Sequence, residues 1–262
     1  MQEPAIEFKD ISLSYRIMAE KGIHTFKEWT IKWMARRVRY RELRALSNVS
    51  FTVPVGQAVG IIGHNGAGKS TLLRVTAGIL RPTAGTAIVR GHQAPVIDLG
   101  FGFEAELSGR ENIFFNGALL GRSPDEMAER LDEIVEFADL HAFIDQPIRT
   151  YSTGMVARLA FAVATTVDAH VLLLDEVLAV GDANFQLKCQ KRLQSFRDKG
   201  VTILLVAHDL GVVEETCDTA LWLDKGVMRA FGPAADVVAG YRDSLAEASA
   251  VGGAIEDVAQ QG

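Results

Sequence analysis

The sequence predicts an α/β fold with an antiparallel β subdomain and a helical insert. Three observations lead there. Apolar runs at 57–62, 171–176 and 201–207 alternate with amphipathic stretches, the order a parallel sheet flanked by helices requires. Earlier runs at 5–9, 11–15 and 46–53 alternate apolar and polar residues, as half-exposed strands do. Between 108 and 169 the pattern is mostly helical.

Taken in order, residues 5–9 and 11–15 read as exposed-edge strands. Residues 21–44 change character. Lys21, Lys27, Lys32, Arg36, Arg37, Arg39, Arg41 and Arg44 face only Glu28 and Glu42, and Phe26, Trp29 and Trp33 share one helical face. This predicts a basic amphipathic helix. Two roles fit: a segment at a membrane interface or on a partner beside it, and a solvated helix whose aromatics enter the core. Residues 46–53 return to strand, and Pro54-Val55-Gly56 turns the chain into the strand 57–62. A helix over 70–80 ends at Arg81-Pro82, a strand follows over 86–90, and 95–103 reads as a glycine-punctuated loop. Ser123 and Pro124 are placed as N-cap and first residue of a helix. A second strong helix covers 155–167. After the strand 171–176 come a helix over 185–199, a strand over 201–207 and a hairpin around Lys225-Gly226. Past Tyr241 the chain is Ala, Glu, Gly and Gln, which predicts a frayed helix or disorder for 242–262.

Of the 262 residues, 48% are hydrophobic and 23% charged, enough to build one large domain or two small ones. A net charge of −6 argues against a nucleic-acid partner. The first residues lack a signal peptide's basic and apolar regions, and no apolar run approaches a membrane span. The expectation is a chain that stays in the cytosol unless a partner brings it to a membrane. Cys189 and Cys217 have no metal-like spacing and read as reduced, packed thiols.

The stretch Gly63-His64-Asn65-Gly66-Ala67-Gly68-Lys69-Ser70 fits G-x-x-x-x-G-K-[ST] at every position. It lies between a predicted strand and a predicted helix, as a phosphate-binding loop must. Gly66 and Gly68 let the backbone approach an anion in left-handed conformations. Successive N–H groups then converge at a helix N-terminus. Lys69 would reach the β- and γ-phosphates, and the Ser70 hydroxyl would ligate Mg²⁺. Asp175, at the end of an apolar strand, would hold the same ion. Glu176 beside it would orient or deprotonate an attacking water. His208 ends the next apolar strand, where an imidazole could hydrogen-bond a γ-phosphate. Tyr151-Ser152-Thr153-Gly154-Met155 opens a helix, so Ser152 and the Gly154 N–H could also bind phosphate. One nucleotide cannot easily use two helix N-termini from separate subdomains of one chain. A dimer, with the second motif supplied by the other copy, resolves this.

Together, residues 63–70, 151–155 and 171–176 with Asp182 and His208 resemble the ATP-binding subunit of ATP-binding-cassette (ABC) transporters, over about residues 5–241. The resemblance implies a P-loop NTPase fold with antiparallel β and helical subdomains. It places an ATP-binding domain over 1–241, with the helical subdomain at about 105–168. It also implies Mg-ATP sandwiched in a homodimer, ATP hydrolysis and a transmembrane permease partner. Ser152 and Gly154 would contact γ-phosphate across the dimer, and Gly63, Asn65, Ala67, Thr71 and Asp182 join the nucleotide site. By position, Tyr15 is the aromatic that would stack on adenine, with a core tyrosine as the alternative. The common signature Leu-Ser-Gly-Gly-Gln is altered here at Tyr151, Thr153 and Met155. That variant resembles one branch, together with Gly100-Phe101-Gly102-Phe103, residues 106–112 and residues 175–182. The branch comprises the ATPase subunits of exporters for lipid-linked polysaccharides: O-antigen, capsule and teichoic acid. Such a subunit sits on the cytoplasmic face of the membrane. Its basic N-terminal segment resembles a gate at the channel mouth, which favours the membrane-proximal role for 21–44. The family's usual glutamine near Leu99 is missing, and 100–106 is the expected substitute for coupling. Some branch members carry a C-terminal carbohydrate-binding β-domain, which this chain is expected to lack.

Overall fold

The computed structural model describes residues 3–18, 40–97, 102–166, 168–175 and 181–259. Two sheets organise it. The smaller is antiparallel, in the order β2 (Tyr40–Val53), β1 (Ile6–Met18), β4 (Ala84–Val89). The larger has six strands in the order β5 (Gln93–Val96), β6 (Val171–Asp175), β7 (Thr202–Val206), β3 (Ala58–Ile62), β8 (Thr219–Asp224), β9 (Val227–Pro233). All its pairings are parallel except β8–β9. The α/β class and both subdomains are as the sequence predicts.

The period-2 geometry of strands explains how the large sheet is covered. Ala58, Ile62, Leu172, Leu174, Ile203 and Leu205 face one cluster. It is filled by α4 (Thr153–Thr166), α5 (Ala183–Asp198), α6 (Leu210–Thr216) and α7 (Ala234–Ala259). Val59, Ile61, Val171, Leu173, Leu204 and Val206 face the other, filled by α1 (Lys69–Thr76) and the small sheet. Strands buried on both faces must be apolar throughout, and β3 and β7 are buried at every position. Each such Leu or Ile contributes roughly 1.5–3 kcal/mol through burial.

The helical unit has a core of its own. Ile113 of α2 (Gly109–Leu119), Met127 and Ile134 of α3 (Pro124–Ala138), and Leu159 of α4 form its centre. Both α2 and α3 begin with reciprocal caps, Ser108 with Glu111 and Ser123 with Glu126. Ser123 is the N-cap and Pro124 the first helical residue, as expected. Phe137, Phe161 and Phe185 pack ring to ring and join this unit to the sheet's helices.

Several expectations need correction. The runs at 5–9 and 11–15 form one strand, irregular after Phe8, where Asp10 adopts φ 51°. It is the centre of its sheet, not an edge, because β2 and β4 pair with its two sides. Of the predicted basic helix 21–44, residues 40–44 belong to β2, and Met18 pairs with Tyr40. Residues 19–39 lie outside the described residues. Pro95 and Val96 are not loop but the end of β5, a strand too short to show periodicity. α6 was not foreseen, and α7 continues past residue 241 to Ala259 as one helix.

Candidate nucleotide-binding site

The phosphate loop leaves the C-terminal end of β3, between β7 and β8. Its glycines are required by two different constraints. Gly63, Gly66 and Gly68 have φ of 144°, 79° and 107°, where side chains are strained. A Cβ on Gly63 would also lie 2.1 Å from the Leu223 carbonyl oxygen, and one on Gly68 2.6 Å from that of Ala45. Gly66 meets nothing within 4 Å, so its constraint is conformational alone. The loop is stitched inward: Ala67 N–H donates to His64 O at 3.1 Å, and Gly226 N–H to Ala67 O at 2.8 Å. Lys69 is buried, its Nζ donating to Gly63 O at 2.8 Å and His64 O at 3.1 Å. An ammonium therefore sits inside the ring of loop amides, where a polyphosphate needs it.

Beside the loop opens a cleft of about 300 Å³. Asn65, Gly66, Gly68, Lys69, Ser70 and Thr71 of the loop and its helix line it together with Tyr15, Leu43, Arg44 and Ala45 of the β1–β2 hairpin. The structure thus brings Tyr15, the proposed aromatic, to the same cleft as the loop. It does so through the hairpin: Tyr15 pairs directly with Leu43, whose side chain is half exposed. The sequence pattern puts Leu43 and Arg44 in the basic helix 21–44 and gives no sign that they or Ala45 line this cleft. The hairpin register sets Leu43 opposite Tyr15 and Arg44 opposite Ser14, with Ala45 at the irregularity before Leu46 pairs with Leu13.

Asp175 and His208 reach the same edge of the sheet. Asp175 closes β6 and pairs with Val206, while Ile61 pairs with Val206 from the other side. His208 follows β7 by two residues and is exposed. Carboxylate, imidazole and phosphate loop thus leave three adjacent parallel strands at one end, where open α/β sheets bind ligands. Among the described residues, no three His, Cys, Asp or Glu gather into a cage for a metal. The hydroxyl of Ser70 and carboxylate of Asp175 are hard oxygen donors, which suits Mg²⁺ completed by water and phosphate. Glu176 lies outside the described residues.

Ser152, Gly154 and Asp182 do not line the cleft. Ser152 is exposed, and its Oγ accepts from Met155 N–H at 3.2 Å at the start of α4. Tyr151 is half-buried and donates its hydroxyl to Phe143 O at 2.7 Å. Asp182 caps α5 by accepting from Phe185 N–H at 2.9 Å and pairs with Arg158 of α4 at 2.8 Å. The Phe185 amide, aided by Arg158, holds the Asp182 carboxyl below the usual carboxylate range. Cys189 and Cys217 are buried free thiols, both pushed up to about 12 by burial, as packed and unreactive cysteines should be.

The fold and this arrangement define a phosphate-loop nucleotide-binding protein whose cleft spans two sheets. Comparison with known proteins narrows the class. The ABC transporter family pattern matches residues 46–179. The chain is 42% identical to the O-antigen export system ATP-binding protein RfbB of Klebsiella pneumoniae, over 93% of this chain and 100% of that protein. It is 45% identical to RfbB of Myxococcus xanthus over 94% of this chain but spans only 57% of that longer relative. A teichoic acids export ATP-binding protein TagH from Bacillus cereus is 46% identical over 78% of this chain and 37% of its own length. Among solved structures, the ATP-binding subunit of an ABC transporter superposes with a TM-score of 0.72 at 23% identity, covering 90% of this chain and 93% of that one. This chain belongs to the ABC transporter family, as a member of its ATP-binding type.

Proposed function

We propose that this chain is the ATP-hydrolysing subunit of an exporter. It would drive a lipid-linked polysaccharide of O-antigen, capsular or teichoic-acid type across the cytoplasmic membrane through a separate transmembrane subunit. The cleft that Tyr15 shares with the phosphate loop supports the nucleotide reading. The cargo class rests on the export roles named for the relatives in Klebsiella, Myxococcus and Bacillus. None of the described helices is long and apolar enough to cross a membrane, which suits a peripheral subunit on the cytoplasmic face.

In this scheme Tyr15 stacks on adenine, loop amides from Gly63 to Thr71 surround the phosphates, and Lys69 balances their charge. Ser70 and Asp175 would hold Mg²⁺, which would supply positive charge beside the phosphates. Glu176 accepts a proton from water as its oxygen attacks the γ-phosphorus. The bond to the β–γ bridging oxygen breaks, giving ADP and phosphate. His208 hydrogen-bonds the γ-phosphate. Ser152 and Gly154 come from a second copy of the chain, with Asp182 at the same interface. ATP binds the closed dimer better than the open one, so binding shifts the pair toward closure and hydrolysis releases it.

The test is Glu176→Gln. The variant should bind ATP, release no phosphate and accumulate as an ATP-loaded dimer on a sizing column. Normal phosphate release by that variant would remove Glu176 as the base. Purification from native membranes should recover a transmembrane subunit with the chain.

A further inference from the structure

The second residue of the phosphate loop, His64, has no part in the scheme above. Its ring is nevertheless held at both nitrogens. Nδ1 lies 2.6 Å from the Asn65 carbonyl oxygen, and Nε2 lies 3.0 Å from Asp224 Oδ1. Asp224 ends β8, and its other oxygen accepts from Arg229 of β9 at 2.7 and 3.1 Å. A carbonyl oxygen cannot donate. Nor does Asp224, because Arg229 first, and then His64, hold its carboxyl below the usual carboxylate range. Both contacts can therefore be hydrogen bonds only if the ring donates from both nitrogens, which imidazolium does and neutral imidazole does not.

Resting on the nucleotide-binding reading, we propose that His64 is a positioning residue for the phosphate loop. Acting as a double donor, it ties the loop's backbone at Asn65 to the β8–β9 hairpin and adds positive charge beside the polyphosphate. Its place in the fold supports this. Asn65 and Gly66 line the nucleotide cleft, while Gly226 of the same hairpin already donates to Ala67 O. Loop and hairpin are thus joined by one backbone bond and one ion pair. Among the described residues, the charged groups in contact with His64 are Asp224 on β8, itself paired with Arg229 on β9, and Lys69, whose Nζ is bonded to the His64 carbonyl. Only Asp224 is an acceptor. Losing one proton from the ring removes one of its two donors. Without that second donor the loop loses a tie, and its grip on nucleotide weakens.

The experiment measures Mg-ATP affinity by equilibrium binding on the full chain for wild type, His64→Phe, Asp224→Asn and the double variant. Circular dichroism and melting confirm that each is folded. Each single variant should bind on the order of ten-fold more weakly, the scale of one charge-assisted hydrogen bond. The double variant should be no weaker than either single one, since both remove the same tie. Wild-type affinity in both single variants, or additive losses in the double variant, would overturn the proposal. If wild type itself binds no nucleotide, the functional reading fails and this inference with it.

Discussion

The phosphate loop and the signature turn are fastened in opposite ways. The loop is held from three directions within the chain: by β3 before it, by the β8–β9 hairpin through His64 and Ala67, and by β2 through the contact of Ala45 with Gly68. The turn 151–155 rides on the helical unit, which has a separate core, and presents Ser152 outward. Its ties run backward, from Tyr151 to Phe143 and from Arg158 to Asp182. One element is preorganised to receive a ligand from its own chain. The other is braced from behind, as the proposed dimer would require of a surface offered to a second copy. Nucleotide binding should therefore depend on the first alone and turnover on both.

The largest effect should come from Lys69→Ala. It removes the buried ammonium of the loop, and nucleotide retention should vanish, with phosphate release down by roughly a hundred-fold or more. Undiminished binding, read by filter retention of labelled ATP, would end the assignment of this cleft.

Next comes Gly154→Asp, aimed at the other half. A Cβ there meets only Ser152 Oγ at 3.8 Å, so the single chain has room for the side chain. Binding by the isolated chain should stay near wild type. A carboxylate facing the γ-phosphate of the partner's nucleotide should abolish dimerisation and turnover. Mixing Lys69→Ala with Gly154→Asp chains should restore part of the activity, because each mixed pair contains one intact composite site. If the mixture stays inactive, the two halves do not act across a dimer.

How far the sequence alone reached follows the same division. Residues 63–70 were legible because the loop is a local motif flanked by its own strand and helix. The buried strands were legible because burial on both faces demands apolar runs. Three things were not. The 40–44 segment carries its strand identity only through pairing with β1, and its basic residues matched a helical pattern equally well. β5 is four residues long, and its place beside β6 is a tertiary fact. His64 occupies a variable position of the motif, so its link to Asp224, 160 residues away in sequence, could not be read from spacing. Ser152 and Asp182 were legible as residues, but their surroundings in the chain are structural caps and ion pairs.

Tyr15→Ala should sharpen the contrast at a smaller scale. Losing one aromatic stacked on a base should raise KM for ATP roughly ten-fold and leave kcat near wild type. A fall in kcat with KM unchanged would indicate that Tyr15 supports the hairpin rather than the nucleotide.

The smallest effect should come from Tyr151→Phe, and it bears most directly on how the signature turn is braced. The hydroxyl donates to Phe143 O, and it approaches so closely that a Cβ on Gly109 would lie 2.3 Å from it. The ring therefore spans from the turn to the start of α2, across the loop that carries Phe143. Removing the oxygen deprives the carbonyl of exposed Phe143 of one donor, at a cost of about 0.5–1 kcal/mol. In a chain this size that lowers Tm by up to roughly 2–4 °C. Nucleotide binding by the single chain should not change, because no part of the phosphate loop touches this ring. If binding weakens along with melting temperature, the two regions are mechanically coupled within one chain, and their separation into a receiving half and a presented half does not hold.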